Sequence, residues 1–135
     1  MPGKSETRNQ SRSPQGTVCV IDGDEGVRTS LLTLLETLPV KVVAFSSAEE
    51  FLDHVDSGAP SFLITEINLP GIGGFELLEV LRSRGIFLPA IAITVEASPA
   101  RAREAARLGL LHLVEKPFVY RKVMTLVQDT LQVSA

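Results

Sequence analysis

The sequence predicts an α/β domain in which a parallel sheet of five strands is covered by helices on both faces. Two observations carry that prediction. Five short, nearly unbroken apolar runs alternate with segments whose apolar residues recur at the helical period, and short turns separate them. Each of four runs also ends in polar groups, namely Asp22, Glu66, Thr94 and Glu115-Lys116.

The first run is Thr17-Val-Cys-Val-Ile21, which stops at an acidic turn opening on Asp22. Asp24 is placed to cap a helix along which Val27, Leu31, Leu34, Leu35 and Leu38 recur, with Pro39 as its stop. Val40 to Phe45 reads as the second strand. Ser47-Ala-Glu-Glu50 has the form of a capping box, in which hydroxyl and carboxylate satisfy each other's backbone donors, and it opens a helix carrying Phe51, Leu52 and Val55. Gly58-Ala-Pro60 is a turn, and Phe62 to Thr65 the third strand. A loop from Asn68 to Gly74 leads to a helix with Phe75, Leu78 and Leu81 on one face, ended by Gly85. Ala90 to Thr94 is strand four, and Ser98-Pro99 pairs a cap with proline at the first helical position. Gly109 ends that helix, Leu110 to Val114 forms strand five, and a last helix aligns Tyr120, Val123, Met124, Val127 and Leu131. Right-handed crossovers through such units favour a doubly wound, flavodoxin-like (βα)5 sheet of order 2-1-3-4-5.

Bulk properties narrow the function. The 135 residues suit one domain, and 44% hydrophobic with 21% charged residues is ordinary for a packed globular chain. A net charge of -3 argues against a dedicated binder of nucleic acid or anionic membrane. The single cysteine, Cys19, lies in an apolar run and reads as a small buried hydrophobe. No apolar stretch approaches the ~20 residues that span a bilayer; the longest, Ile86 to Val95, is broken by Pro89. Residues 1–16 are polar, with Lys4, Arg8 and Arg12 but no apolar segment behind them, so they are expected to be a disordered tail rather than a secretory signal. The domain is therefore taken as 17–135, and a cytoplasmic location is the default expectation.

In a doubly wound sheet the functional crevice lies at the carboxyl ends of the strands, where strand order reverses. There the carboxylates suit a hard cation such as Mg²⁺, while a hydroxyl and an ammonium suit phosphoryl oxygens. A solvated acidic rim neutralised by its lysine is an equal reading of the same residues.

Four motifs in register make a resemblance specific. Val20-Ile-Asp-Gly-Asp-Glu-Gly-Val-Arg28 resembles the first-strand signature of bacterial response-regulator receiver domains. Leu63 to Leu78 resembles the phosphoacceptor strand and its loop, Ala90-Ile-Ala-Ile-Thr94 the switch-hydroxyl strand, and Val114-Glu-Lys-Pro-Phe118 the lysine-proline motif. The likeness runs from Thr17 to about Gln132 and is closest to the FixJ/NarL class, whose receivers usually precede a helix-turn-helix output domain. It implies that Thr94 is the switch hydroxyl, that Lys116 pairs with the acceptor carboxylate, and that the Lys116-Pro117 bond is cis.

The match fails at three positions. Glu66 stands where the family carries its phosphorylated aspartate, Gly23 replaces a metal-binding acid between Asp22 and Asp24, and Leu113 occupies the place of an aromatic switch residue. Glutamate moves the attacking oxygen by one methylene, and a misplacement of ~1 Å can cost ~100-fold in rate. Asp22, Glu66 and the Asn68 backbone carbonyl are left as weak Mg²⁺ ligands, so the expected cofactor is none or a loosely held Mg²⁺. Two roles for Glu66 remain open: a built-in mimic of the phosphorylated state, with Thr94 turned toward it, or a carboxylate simply paired with Lys116.

The function expected is that of an atypical, non-enzymatic receiver in two-component signalling, acting through protein contacts. It is either a stand-alone module or the receiver of a transcription regulator. A receiver still phosphorylated by a sensor histidine kinase in a Mg²⁺-dependent way is the competing expectation. A flavin binder, the third candidate, lacks aromatic platforms. Expected partners are a histidine kinase, an output or target protein, and a second copy meeting through helix 4, strand 5 and helix 5, where Arg101, Arg103 and Arg107 lie; a solvated helix surface explains those arginines equally well. No nucleic acid or membrane is expected to bind this domain itself. His112 reads as a strand or surface histidine, and Gly71, Gly73 and Gly74 as a tight turn rather than a phosphate cradle.

Overall fold

The computed structural model describes residues 15–118 and 120–134, so all but the last two residues of the tail expected over 1–16 lie outside the described residues. Among the described residues five strands and five helices alternate: β1 Thr17–Ile21, α1 Glu25–Leu35, β2 Lys41–Phe45, α2 Ala48–Val55, β3 Phe62–Glu66, α3 Gly74–Ser83, β4 Ala90–Thr94, α4 Pro99–Arg107, β5 His112–Glu115 and α5 Tyr120–Leu131. The sheet is parallel throughout, in the predicted order β2-β1-β3-β4-β5.

Side-chain alternation splits the core into two layers. Val18 and Val20 of β1 face Leu31 and Leu35 of α1 and Val123 and Val127 of α5. Cys19 and Ile21 point the opposite way, onto Phe51 and Val55 of α2 and Leu77 and Leu81 of α3. Burial pushes the Cys19 thiol up to about 11, which leaves it protonated and inert. The fourth helix is the exception, since only Ala105 of its nine residues is buried.

Local signals placed most elements, and the differences have local causes. Helix α1 ends at Leu35, before Pro39, because Thr37 and Leu38 donate back to the carbonyls of Leu34 and Leu35 and tighten the chain into a turn. Strand β5 starts at His112 rather than Leu110, because the Leu110 amide is used on Ala105 to close the end of α4 around Gly109 at φ +76°. The box at α2 is half right. Ser47 Oγ accepts from the Glu50 amide, but Glu50 Oε1 accepts from the amide and hydroxyl of Ser46, one residue earlier than expected. On α3 the buried face is Leu77, Leu78 and Leu81, with Phe75 only half-buried.

Candidate functional site

The chain reverses direction across the sheet between β1 and β3, and the polar strand ends meet beside that reversal. Asp22 directly follows β1 and is fully buried. Its Oδ1 accepts from the Asp24 amide at 2.8 Å and from Lys116 Nζ at 3.2 Å. Oδ2 lies 3.1 Å from the same ammonium yet makes no hydrogen bond of good geometry. Arg28, one helical turn into α1, donates to the Asp22 carbonyl at 2.7 Å and so ties the turn to the helix.

Glu66 closes β3, with its side chain only 12% exposed. One carboxylate oxygen accepts from the Gly23 amide at 3.1 Å and the other from Lys116 Nζ at 3.1 Å. Lys116 therefore bridges two carboxylates from the end of β5, and its bond to Pro117 is cis, as the family likeness implied.

The titrations follow from this packing. Burial raises the pKa of Asp22, the Glu66 charge raises it further, and bonds from Asp24 and Lys116 oppose both. Burial alone would lower the Lys116 value, but the two carboxylates win and its pKa is raised.

Backbone geometry brings Glu66 to this place. A Cβ on Gly74 would collide with the Glu66 carbonyl oxygen and crowd Ile67, so the loop after β3 can fold back over the strand end only with glycine there. The loop is also held by Glu49 of α2, which accepts from the Ile72 amide at 3.0 Å.

Other predicted residues land elsewhere. Asp24 is exposed, and its carboxylate accepts from the amides of Gly26 and Val27 as the cap of α1, so it serves the helix rather than the pocket. Leu113 is half-buried in β5 opposite Ala92. Asn68 is exposed on the loop. His112 is exposed, its ring against the Leu111 carbonyl.

Thr94 ends β4 and is fully buried, but its hydroxyl is turned to α4. Among the described residues its partners are the Glu96 amide at 3.1 Å, the Glu96 carbonyl at 3.2 Å and Arg101 Nη1 at 2.6 Å. The sequence alone leaves Arg101 equally open to an interface or a solvated helix surface; in the structure its guanidinium bonds Thr94 and the Glu96 carbonyl. The sequence does carry a signal. Ser98 as cap and Pro99 at the first position set Arg101 in the opening turn of α4, where a cation opposes the helix dipole and needs another reason to be there. Of the other two arginines, Arg107 pairs with Glu104 and Glu79 at the surface, and Arg103 is exposed.

For a divalent cation the donor set is thin. Among the described residues no three metal-ligating side chains cluster. Among the described residues Asp22 Oδ2 is the one buried side-chain oxygen without a hydrogen bond, and it already faces the Lys116 ammonium at 3.1 Å. The residues do not fit a Mg²⁺ cage of ordinary strength.

A carboxylate pair, one member buried and the other half-buried, with a lysine before a cis-proline and a hydroxyl at the end of β4 on this sheet order, defines a signal-receiver class of α/β domain. Residues 18–128 match the response regulator receiver domain family, and the chain belongs to that family. Among curated proteins it is 38% identical over 121 residues to the transcriptional regulatory protein FixJ of Azorhizobium caulinodans, covering 87% of this chain and 56% of that one. It is 35% identical over 102 residues to FixJ of Rhizobium meliloti, covering 76% and 50%. The chain thus spans about half the length of these relatives. Among solved structures, the response regulator receiver protein of Pseudoalteromonas atlantica superposes with a TM-score of 0.78 at 30% identity, over 86% of this chain and 97% of that one. The Francisella response regulator 1452 receiver domain superposes at 0.81 with 20% identity, over 87% and 97%, a likeness of fold. No helix among the described residues is long and apolar enough to cross a membrane.

Proposed function

We propose that this receiver signals through protein contacts and does not accept a phosphoryl group in the ordinary way. Transfer to a carboxylate needs a free oxygen in line with the leaving group, and metal or cationic groups to absorb charge. The observation that carries the proposal is that the acceptor position holds Glu66, whose carboxylate stands one methylene further out than an aspartate's and rests on the Gly23 amide and Lys116. The position of the second acid is glycine, Asp24 is used as a cap, and the donors left at the site suit Mg²⁺ poorly.

The mimic reading is the weaker one, because it needs the Thr94 hydroxyl beside Glu66, whereas that hydroxyl bonds Glu96 and Arg101. Glu66 paired with Lys116 is the simpler account. We read the domain as a non-enzymatic input module, served by a sensor kinase or a target protein. Relatives that are transcriptional regulators support a place ahead of an output domain. The open edge at β5 and the exposed Arg103 of α4 support a second copy docking through α4, β5 and α5.

The test is incubation with acetyl phosphate and Mg²⁺, read by intact mass. The carboxylate would attack phosphorus and release acetate, giving a hydroxylamine-labile acyl phosphate. The parent chain should gain no such group. The double variant Gly23→Asp, Glu66→Asp should gain one, since a Cβ at Gly23 meets only Glu66 Oε1, at an ordinary 3.7 Å. A labile phosphate on most molecules of the parent would overturn the proposal.

A further inference from the structure

The hydroxyl of Thr94 has a fixed capacity of one donated and two accepted hydrogen bonds. All of it is in use: the proton is directed at the Glu96 carbonyl, and the lone pairs accept from the Glu96 amide and Arg101 Nη1. The bond from Arg101 is the shortest of the three, at 2.6 Å, and the only one formed by a side chain. The same guanidinium nitrogen donates to the Glu96 carbonyl at 2.7 Å. Arg101 thus closes a ring of bonds that joins the end of β4, the loop after it and the first turn of α4.

We infer that Arg101 is a positioning residue that holds the Thr94 hydroxyl toward α4 and away from Glu66 and Lys116, and that the first turn of α4 owes part of its order to that bond. The physical reasons are three. A charge-assisted bond to a buried hydroxyl is roughly twice as strong as a neutral one. Thr94 has no spare bonding capacity, so turning it inward breaks its bond from the guanidinium and leaves that nitrogen only the Glu96 carbonyl. And α4 is the helix least anchored by burial, with Ala105 its one buried residue, so it is the element best able to yield. The inference goes beyond the phosphorylation question and holds whichever way that is answered.

The experiment uses the whole chain without any phosphodonor. Arg101→Met keeps the stem and removes the donors, Arg101→Lys keeps one, and Thr94→Val removes the hydroxyl at constant shape. The rotamer of Thr94 is read from its methyl couplings by NMR, and α4 from amide hydrogen exchange. The parent should show one Thr94 rotamer. R101M should average between rotamers and exchange faster over the first turn of α4, and R101K should return a large share of both signals. In a double-mutant cycle by urea unfolding, R101M and T94V should be coupled by about tenfold in the unfolding constant, the size of a hydrogen bond to a charged group. A single unchanged rotamer in R101M, or effects that simply multiply, would overturn the inference. Both outcomes are independent of whether Glu66 or its aspartate variant takes up phosphate.

Discussion

Removing the Lys116 charge by Lys116→Met probes the site most directly. The ammonium sits 3.1 Å from both Asp22 and Glu66, with side-chain exposures of 15%, 0% and 12% for the three groups in that order. At ~3 Å and an effective dielectric of ~20, each attraction is about 5 kcal/mol before the cost of desolvation. Burial cancels much of this, and stripping one partner from such a cluster costs about 3–5 kcal/mol because an unpaired charge is left inside. For a domain of this size that is a fall in Tm of about 10–20 °C. It is also a loss of about 2 M in urea midpoint.

The pH dependence gives the sharper signature. Asp22 already has a raised pKa, and losing the cation raises it further. A carboxyl whose folded value lies above its unfolded one contributes most when protonated, and that contribution fades as pH rises through the folded value. The K116M variant should therefore lose stability as pH rises above about 4, where the unfolded aspartate ionises and the folded one resists. Adding Asp22→Asn should recover over half the loss and flatten the slope. Circular dichroism with urea, repeated across pH, is sufficient. A K116M protein within about 1 kcal/mol of the parent at neutral pH, with no slope, would refute the idea that this lysine holds two buried charges.

Other consequences are simpler to check. Lys116 has its pKa raised by Asp22 and Glu66, so its contribution is complete below the unfolded lysine value and declines above about pH 10; alkaline urea curves should show this in the parent and not in K116M. Glu66→Gln removes the charge that pushes Asp22 upward while keeping an acceptor for the Gly23 amide, so carbon-detected NMR titration should find the Asp22 value lowered, with the fold intact. Asp24→Ala deletes the cap of α1 and should cost about 1 kcal/mol without altering the Asp22 titration. Gly74→Ala should cost more than that, about 1–3 kcal/mol, because its methyl meets the Glu66 carbonyl; unchanged stability would mean the loop is not seated as described.

Much of the molecule was legible along the chain because the signals are local. Apolar runs and helical periods located every strand and helix, and caps such as Asp24 and Ser98 act within three residues of themselves. Handedness then restricts how five such units can be wound, which is why the strand order could be read without coordinates. Where prediction slipped, the competing bonds were also local but had several possible ends, as with Glu50 choosing Ser46 over Ser47 or Leu110 closing α4 instead of opening β5.

The candidate site divides along the same line. Residue type and strand-end position announced Asp22, Glu66, Thr94 and Lys116, since chain order alone puts them at one edge of the sheet. Only the tertiary structure decided how they bond. One ammonium reaches two carboxylates from positions 50 and 94 residues away, Asp24 leaves the pocket for a helix end, and Arg101 leaves the surface for a buried hydroxyl. Each of those outcomes depends on which donor arrives within about 3 Å of which acceptor in three dimensions, a quantity that spacing along a chain does not contain.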